Sequence, residues 1–227
     1  MNKYLFTTGI FLGLQTIASA QIDKNVGDFT SLKASNRIKI ELIPSQENKI
    51  VVNESQVDAV NIINKNGRLV LKNTLKELVS ETNYSVTIQV HFKELKEIDA
   101  QGGSYIYSDS VINQNKIALS SNFGSTLNVK LNTESLTVNA NTGSKIHLQG
   151  KVSKTAKITA SSGAQISADA LITNKNIVKV NSGSNVKATA TNYFEAQVLA
   201  GGIIKIYGNP EEVKEKITLG GTIEYIK

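Results

Sequence analysis

Gly143-Ser144-Lys145-Ile146 returns twenty residues later as Gly163-Ala164-Gln165-Ile166, and again as Gly183-Ser184-Asn185-Val186. The same unit precedes them as Gly103-Ser104-Tyr105-Ile106 and Gly124-Ser125-Thr126-Leu127. Looser versions follow at Gly201-Gly202-Ile203-Ile204 and Gly220-Gly221-Thr222-Ile223. From Gly103 onward the spacings are 21, 19, 20, 20, 18 and 19 residues. A fixed period in this range marks a stacked repeat, in which no unit can bury its apolar side alone. Aligned on the glycine, the residue three later is always branched and apolar: Ile106, Leu127, Ile146, Ile166, Val186, Ile204, Ile223. The residue five earlier runs Ile98, Leu119, Val138, Ile158, Val178, Ala196, Glu215, and the one three earlier Ala100, Ser121, Ala140, Ala160, Val180, Val198, Ile217. Alternation on both sides of the glycine predicts two short strands with inward alternate faces, joined at a tight corner where glycine supplies a positive φ.

The polar second half of each repeat, such as Asn128–Ser135, closes the coil, and a third strand such as Leu136–Val138 leads into the next corner. Equivalent residues are then expected about 4.8 Å apart up a stack of parallel coils. The fold class read from the repeat is an all-β solenoid, a parallel β-helix of about 20 residues per coil. Residues 28–97 carry strand signals without the glycine period. Arg37–Leu42, Arg68–Lys72 and Tyr84–Phe92 alternate with period two, and Pro44–Asn48 and Asn64–Gly67 read as turns. Leu75–Thr82 is compatible with a short helical turn. This half is expected to start and cap the stack, with the glycine-cornered coils running over 98–227. Gly208-Asn209-Pro210 and the charged run Glu211–Lys216 interrupt the pattern near the end, as terminal repeats do when they protect an open edge.

Residues 1–20 stand outside the repeat. Lys3, the apolar stretch Tyr4–Ile17 and the small-residue site Ala18-Ser19-Ala20 read as a secretory signal peptide. The mature chain would be a single domain, 21–227. No other apolar segment reaches membrane-spanning length, and no cysteine follows the signal to carry a lipid anchor. Zero cysteines in an exported chain leave packing and the backbone ladder to hold the fold, which suits a bacterial envelope. The net charge of +6 falls to +5 without Lys3. That balance permits attraction to anionic surfaces without implying a nucleic-acid partner.

Gly27-Asp28-Phe29-Thr30-Ser31-Leu32, the string of Gly-Ser corners and the late Tyr207-Gly208-Asn209-Pro210 resemble the auto-transporter adhesin head domain, known as the GIN domain. The resemblance covers nearly the whole mature chain. It implies a single-stranded right-handed β-helix, similar in shape to pectin lyases, in exported proteins of Bacteroidetes-type bacteria. It brings no catalytic residues to transfer. The corners here read Gly-Ser or Gly-Ala, often without the second glycine of the family's Gly-Ser-Gly.

A pectin-lyase shape raises the question of a polysaccharide lyase or hydrolase, which needs clustered carboxylates. Asp99, Asp109, Glu134, Asp169 and Glu195 lie at offsets of −4, +6, −9, +6 and −6 from their local glycines. Only Asp109 and Asp169 share an offset, and three coils separate them by about 14 Å, too far for glycosidase geometry. All five are read as solvated surface carboxylates. His91 and His147, the only histidines, both fall on outward positions. Two histidines without cysteine do not make a zinc site, and no cofactor is implied. Residues 135–194 hold Lys145, Lys151, Lys154, Lys157, Lys175, Lys179 and Lys187 against Asp169 alone, a net +6. These lysines are the candidate patch for an anionic glycan, lipopolysaccharide or phospholipid headgroup. A solvated, edge-protecting lysine surface would carry the same run. Aromatics barely interleave with these lysines, against single-stranded nucleic acid as ligand. The reading is an exported, non-enzymatic solenoid of the periplasm, outer surface or medium, serving cell adhesion or envelope binding, with an anionic glycan or cell-surface polysaccharide as partner. A carbohydrate-active enzyme and a purely structural envelope protein are the alternatives, and the sequence sets no oligomeric state.

Overall fold

The computed structural model describes residues 21–74 and 86–226. The signal-peptide reading of 1–20 and the helical turn read at Leu75–Thr82 fall outside the described residues. The rest forms a β-solenoid of about six turns with roughly 20 residues per turn. Its strands are β1 (Gln21–Asn25), β2 (Ser31–Ser35), β3 (Lys39–Pro44), β4 (Lys49–Asn53), β5 (Val60–Lys65), β6 (Arg68–Asn73), β7 (Thr87–Phe92) and β8 (Glu97–Ala100). They continue as β9 (Tyr105–Ser121), β10 (Thr126–Ala140), β11 (Lys145–Ala160), β12 (Gln165–Val180), β13 (Asn185–Ala200), β14 (Ile203–Tyr207), β15 (Glu212–Leu219) and β16 (Thr222–Ile226). A 3-10 turn at Glu54–Ala59 separates β4 from β5.

The columns read from the sequence are the columns of the structure. Ile106 pairs with Leu127, which pairs with Ile146, Ile166, Val186, Ile204 and Ile223 in turn. From Ile106 to Ile204 these side chains are essentially fully buried. Strand length differs from the expectation. Each of β9 to β13 runs unbroken from one corner to the next, because its parallel ladder continues around the bends. The bends show instead as register slips, such as those between His147 and Gly150 and between Val152 and Thr155. Gly150 sits at one of them, with φ 112°, and a Cβ there would strike the Leu131 carbonyl.

At the corners two successive residues are left-handed. Thr142 (φ 49°) precedes Gly143 (φ 66°), and Phe123, Ser162 and Ser182 stand likewise before Gly124, Gly163 and Gly183. A side chain in this region is strained. Hydrogen bonds from coil to coil offset the strain: Gly124 N–H donates to Thr142 O, Gly143 N–H to Ser162 O and Gly163 N–H to Ser182 O, each at 3.0 Å. Asn36 (φ 66°) and Arg37 (φ 53°) form the same corner between β2 and β3 without any glycine. The following serines, Ser104, Ser125, Ser144 and Ser184, are fully buried. Ser144 Oγ donates to Ser121 O at 2.7 Å, and Ser184 Oγ accepts from Ala164 N–H at 3.2 Å.

The N-terminal strands extend the stack out of sequence order. On one side the order is β1-β4-β7-β3-β9, and on the other β5-β6-β2-β8-β9. The pairs β1–β4, β4–β7 and β5–β6 are antiparallel. The chain makes one turn through β2 and β3, steps back to lay β6 and β7 outside it, then crosses over to β8. Residues 93–96 are that crossover.

Candidate binding surfaces

Three outward faces follow from the two bends in each coil. The first carries the residues just after each corner. Its two columns read Tyr105, Thr126, Lys145, Gln165, Asn185, Ile203 and Tyr107, Asn128, His147, Ser167, Lys187, Lys205. The second face lies between the bends, where Asn132 pairs with Lys151 and Lys151 with Ile172. The third precedes the next corner.

The seven lysines divide among these faces. Lys145 and Lys187 stand on the first. Lys187 lines a shallow depression of about 320 Å³ floored by the shorter side chains Gln165, Ser167 and Asn185, with Ile203 and Lys205 along its far side, and Lys145 stands on the adjoining coil in register with Gln165. Lys205 is paired with Glu224 at 3.0 Å. Lys151 is exposed on the second face, and Lys154 at the next bend is paired with Glu134 at 2.6 Å. Lys157, Lys175 and Lys179 gather on the third face. Lys157 registers with Ile177, so Lys175 and Lys179 flank it one coil up. Lys175 Nζ lies 4.4 Å from the centre of the Tyr193 ring, and Lys214 Nζ lies 5.5 Å from it. Burial pushes the Tyr193 phenol up, Lys214 pulls it down and Glu195 raises it again. The stack therefore makes two cationic groups rather than one patch. Lys205 and Lys214, outside the 135–194 run, belong to them. Their columns were readable in the alignment, but a window of linear sequence could not join them.

The carboxylates do not converge. Glu134 is held by Lys154, and Glu195 accepts from Tyr193 Oη at 3.3 Å and Gln197 Nε2 at 2.6 Å. Asp109 and Asp169 are exposed and lie on coils three apart. Asp99 corrects the reading of all five as solvated. It is 6 % exposed, between Lys33 Nζ at 3.9 Å and Arg68 Nη2 at 3.5 Å, and accepts from Gln101 Nε2 at 3.0 Å. Its cationic partners come from β2, which the non-sequential cap places beside β8, and from β6 on the far side of β2. His147 is exposed and His91 half-buried on β7. Among the described residues no three His, Asp or Glu side chains come together as metal ligands.

Residues 28–210 match the family described as putative auto-transporter adhesin, head GIN domain. The chain belongs to this family. Solved structures share the GIN-domain solenoid. A putative adhesin from Bacteroides fragilis superposes with a TM-score of 0.82 at 17 % identity, covering 93 % of this chain and 98 % of that one. A putative adhesin from Parabacteroides merdae gives 0.68 at 18 % identity, covering 92 % and 96 %. A protein from Parabacteroides distasonis titled a putative lipid binding protein gives 0.70 at 17 % identity, also covering 92 % and 96 %. At these identities the likeness establishes the fold. No curated protein matches the chain. Among the described residues no helix is long and apolar enough to cross a membrane.

Proposed function

We propose that this GIN-domain chain is an exported, non-catalytic adhesive solenoid that holds an anionic glycan of a cell surface or envelope against its outward columns. The observation that carries the reading is the first face. There Lys187 lines a depression floored by amide and hydroxyl groups, Lys145 stands on the adjoining coil in register with Gln165, and neither lysine is in an ion pair among the described residues. One exposed ammonium–carboxylate contact contributes at most about 1 kcal/mol. A polymer that meets several columns at once gains avidity from their repetition. The three-lysine group on the third face supplies a second track for the same kind of chain. Adhesive use is supported by family membership, and a non-catalytic role by the scattered acids: Glu134 and Glu195 are engaged and Asp109 and Asp169 lie coils apart.

Binding to immobilised acidic polysaccharide tests the reading. The wild type should bind at low salt and release as salt rises, because exposed charges are screened. Lys145→Glu with Lys187→Glu should weaken binding about tenfold, or 1.4 kcal/mol. Lys157→Glu with Lys175→Glu and Lys179→Glu should weaken it independently. Salt-insensitive retention, unaltered binding by both variants, or release of oligosaccharide products from the polymer would each overturn it.

A further inference from the structure

A broad concavity lies away from both lysine groups. It is a groove of about 1010 Å³ at the step between the N-terminal cap and the first full coils. The crossover Lys93–Lys96 forms one wall, and the bends of β9 and β10 at Asn113–Lys116 and Asn132–Glu134 form the other. Through Lys93, Asn113 and Gln114 it continues into a recess of about 370 Å³ bounded by Pro44, Ser45 and Gln46. The crossover wall is held in place. Lys93 N–H donates to Asn48 Oδ1 at 2.9 Å, Lys96 N–H donates to Thr30 O at 2.7 Å, and Leu95 between them is fully buried. The groove is therefore preformed, which lowers the ordering entropy that binding must overcome.

The lining selects the ligand class. Ala118 is the only purely apolar side chain of the main groove, and its other carbon surface belongs to the stems of lysines, acids and carboxamides. Its working groups are carboxamides and hydroxyls. Asn132 Nδ2 donates to Asn113 Oδ1 at 3.0 Å and Asn113 Nδ2 to Val111 O at 3.3 Å, and both side chains are exposed. Carboxamides donate and accept together, as the hydroxyls of a sugar require. Three ammonium groups stand on the walls: Lys93, which pairs with Asp28 at 3.7 Å, Lys96 and Lys116. The two acids present are already engaged, Glu94 with Lys96 at 3.3 Å and Glu134 with Lys154 at 2.6 Å. Lys116 makes no ion pair among the described residues.

We infer that this groove is a binding site for a short acidic oligosaccharide, a carboxylate-bearing sugar chain laid along the amides of Asn113 and Asn132 with its charge on Lys116. The inference rests on the adhesive reading for its biological sense, but it concerns a different set of residues.

The test uses the isotope-labelled protein with two probes, tetragalacturonate and neutral maltotetraose, followed by amide chemical shifts. With tetragalacturonate the shifts should cluster at 93–96, 113–116 and 132–134, with affinity at least about tenfold above that for maltotetraose. Lys116→Glu should weaken binding about tenfold and Asn132→Ala several-fold, both at unchanged melting temperature. Lys145→Glu with Lys187→Glu should leave this affinity alone. Shifts elsewhere or nowhere, equal binding of the neutral probe, or a neutral Lys116→Glu overturns the groove. Loss confined to the Lys145 and Lys187 variant would overturn it too, while sparing the adhesive reading of the first face.

Discussion

A methyl group at position 202 would stand 2.5 Å from both Ser184 O and Val180 Cγ1, on a backbone held at φ 107°. At Gly143 nothing lies within 4 Å of the same imagined atom, and only φ 66° is demanded. The two glycines thus answer different constraints, one of space and conformation together, the other of conformation alone. Gly202→Ala should cost about 2–4 kcal/mol through backbone strain and overpacking. Gly143→Asn should cost about 1 kcal/mol or less, since Asn tolerates the left-handed region. Urea unfolding midpoints compare them, and equal losses would show that the spatial constraint at 202 relaxes freely. Thr142 shows the same economy from the other side, holding a full side chain at φ 49° because its carbonyl accepts from Gly124 N–H of the coil below while Gly143 N–H donates to Ser162 O of the corner above.

Among the described elements, β15 and β16 form the C-terminal edge of the stack. Each pairs on one side only, β15 with β13 and β16 with β14. The inward column ends on Glu215, and Ile217 and Leu219 are 49 % and 72 % exposed. Such an edge invites pairing with another chain, and an inward-pointing charge opposes it. Glu215 does so while accepting from Tyr225 Oη at 2.6 Å, a polar strap between the third and first faces across the open end. The hydrogen bond to Glu215, with burial behind it, pushes the Tyr225 phenol up to about 12. An unfolded tyrosine titrates near 10. The folded end therefore binds the proton more tightly, and its stabilisation is complete below about pH 10 and lost as pH rises toward 12. The difference in melting temperature between wild type and Tyr225→Phe should be constant below about pH 10 and shrink above it. A difference independent of pH would remove the strap from the account.

Over the whole molecule, stability should follow position in the stack. Coils contact only their neighbours, so protection accumulates where both neighbours are complete. β10, β11 and β12 are paired on both sides along almost their entire length. β1, β5, β15 and β16 are edges. Native-state hydrogen exchange should therefore be slowest in β10–β12 and fall off toward both ends. The antiparallel cap should exchange more slowly than the C-terminal coil, because β1 and β5 lie outside further strands that shield the core. Uniform protection from end to end would contradict a nearest-neighbour stack.

The solenoid and its register were legible in residues 98–227 because each coil repeats one constraint. The same corner, the same branched inward residue and the same spacing recur, so every copy reinforces the alignment of the others. The first coil escaped that reading because Asn36 and Arg37 turn its corner without glycine. The order of the cap escaped it because β7 and β8 reach their places by crossing over earlier strands, and no local pattern encodes which neighbour a strand will meet. Asp99 shows the consequence: a carboxylate that reads as solvated is buried by cations from two strands that lie 31 and 66 residues away in Arg68 and Lys33. The lysines were visible as a run, but a coil turns through three faces, so linear proximity scattered them and stacking regrouped them with Lys205 and Lys214. The groove at the crossover had no signature at all, since it exists only where the out-of-order cap meets the first regular coil. Periodic local constraints carry a fold in the chain itself, whereas charges and concavities that depend on which coils become neighbours are settled only when the chain has stacked.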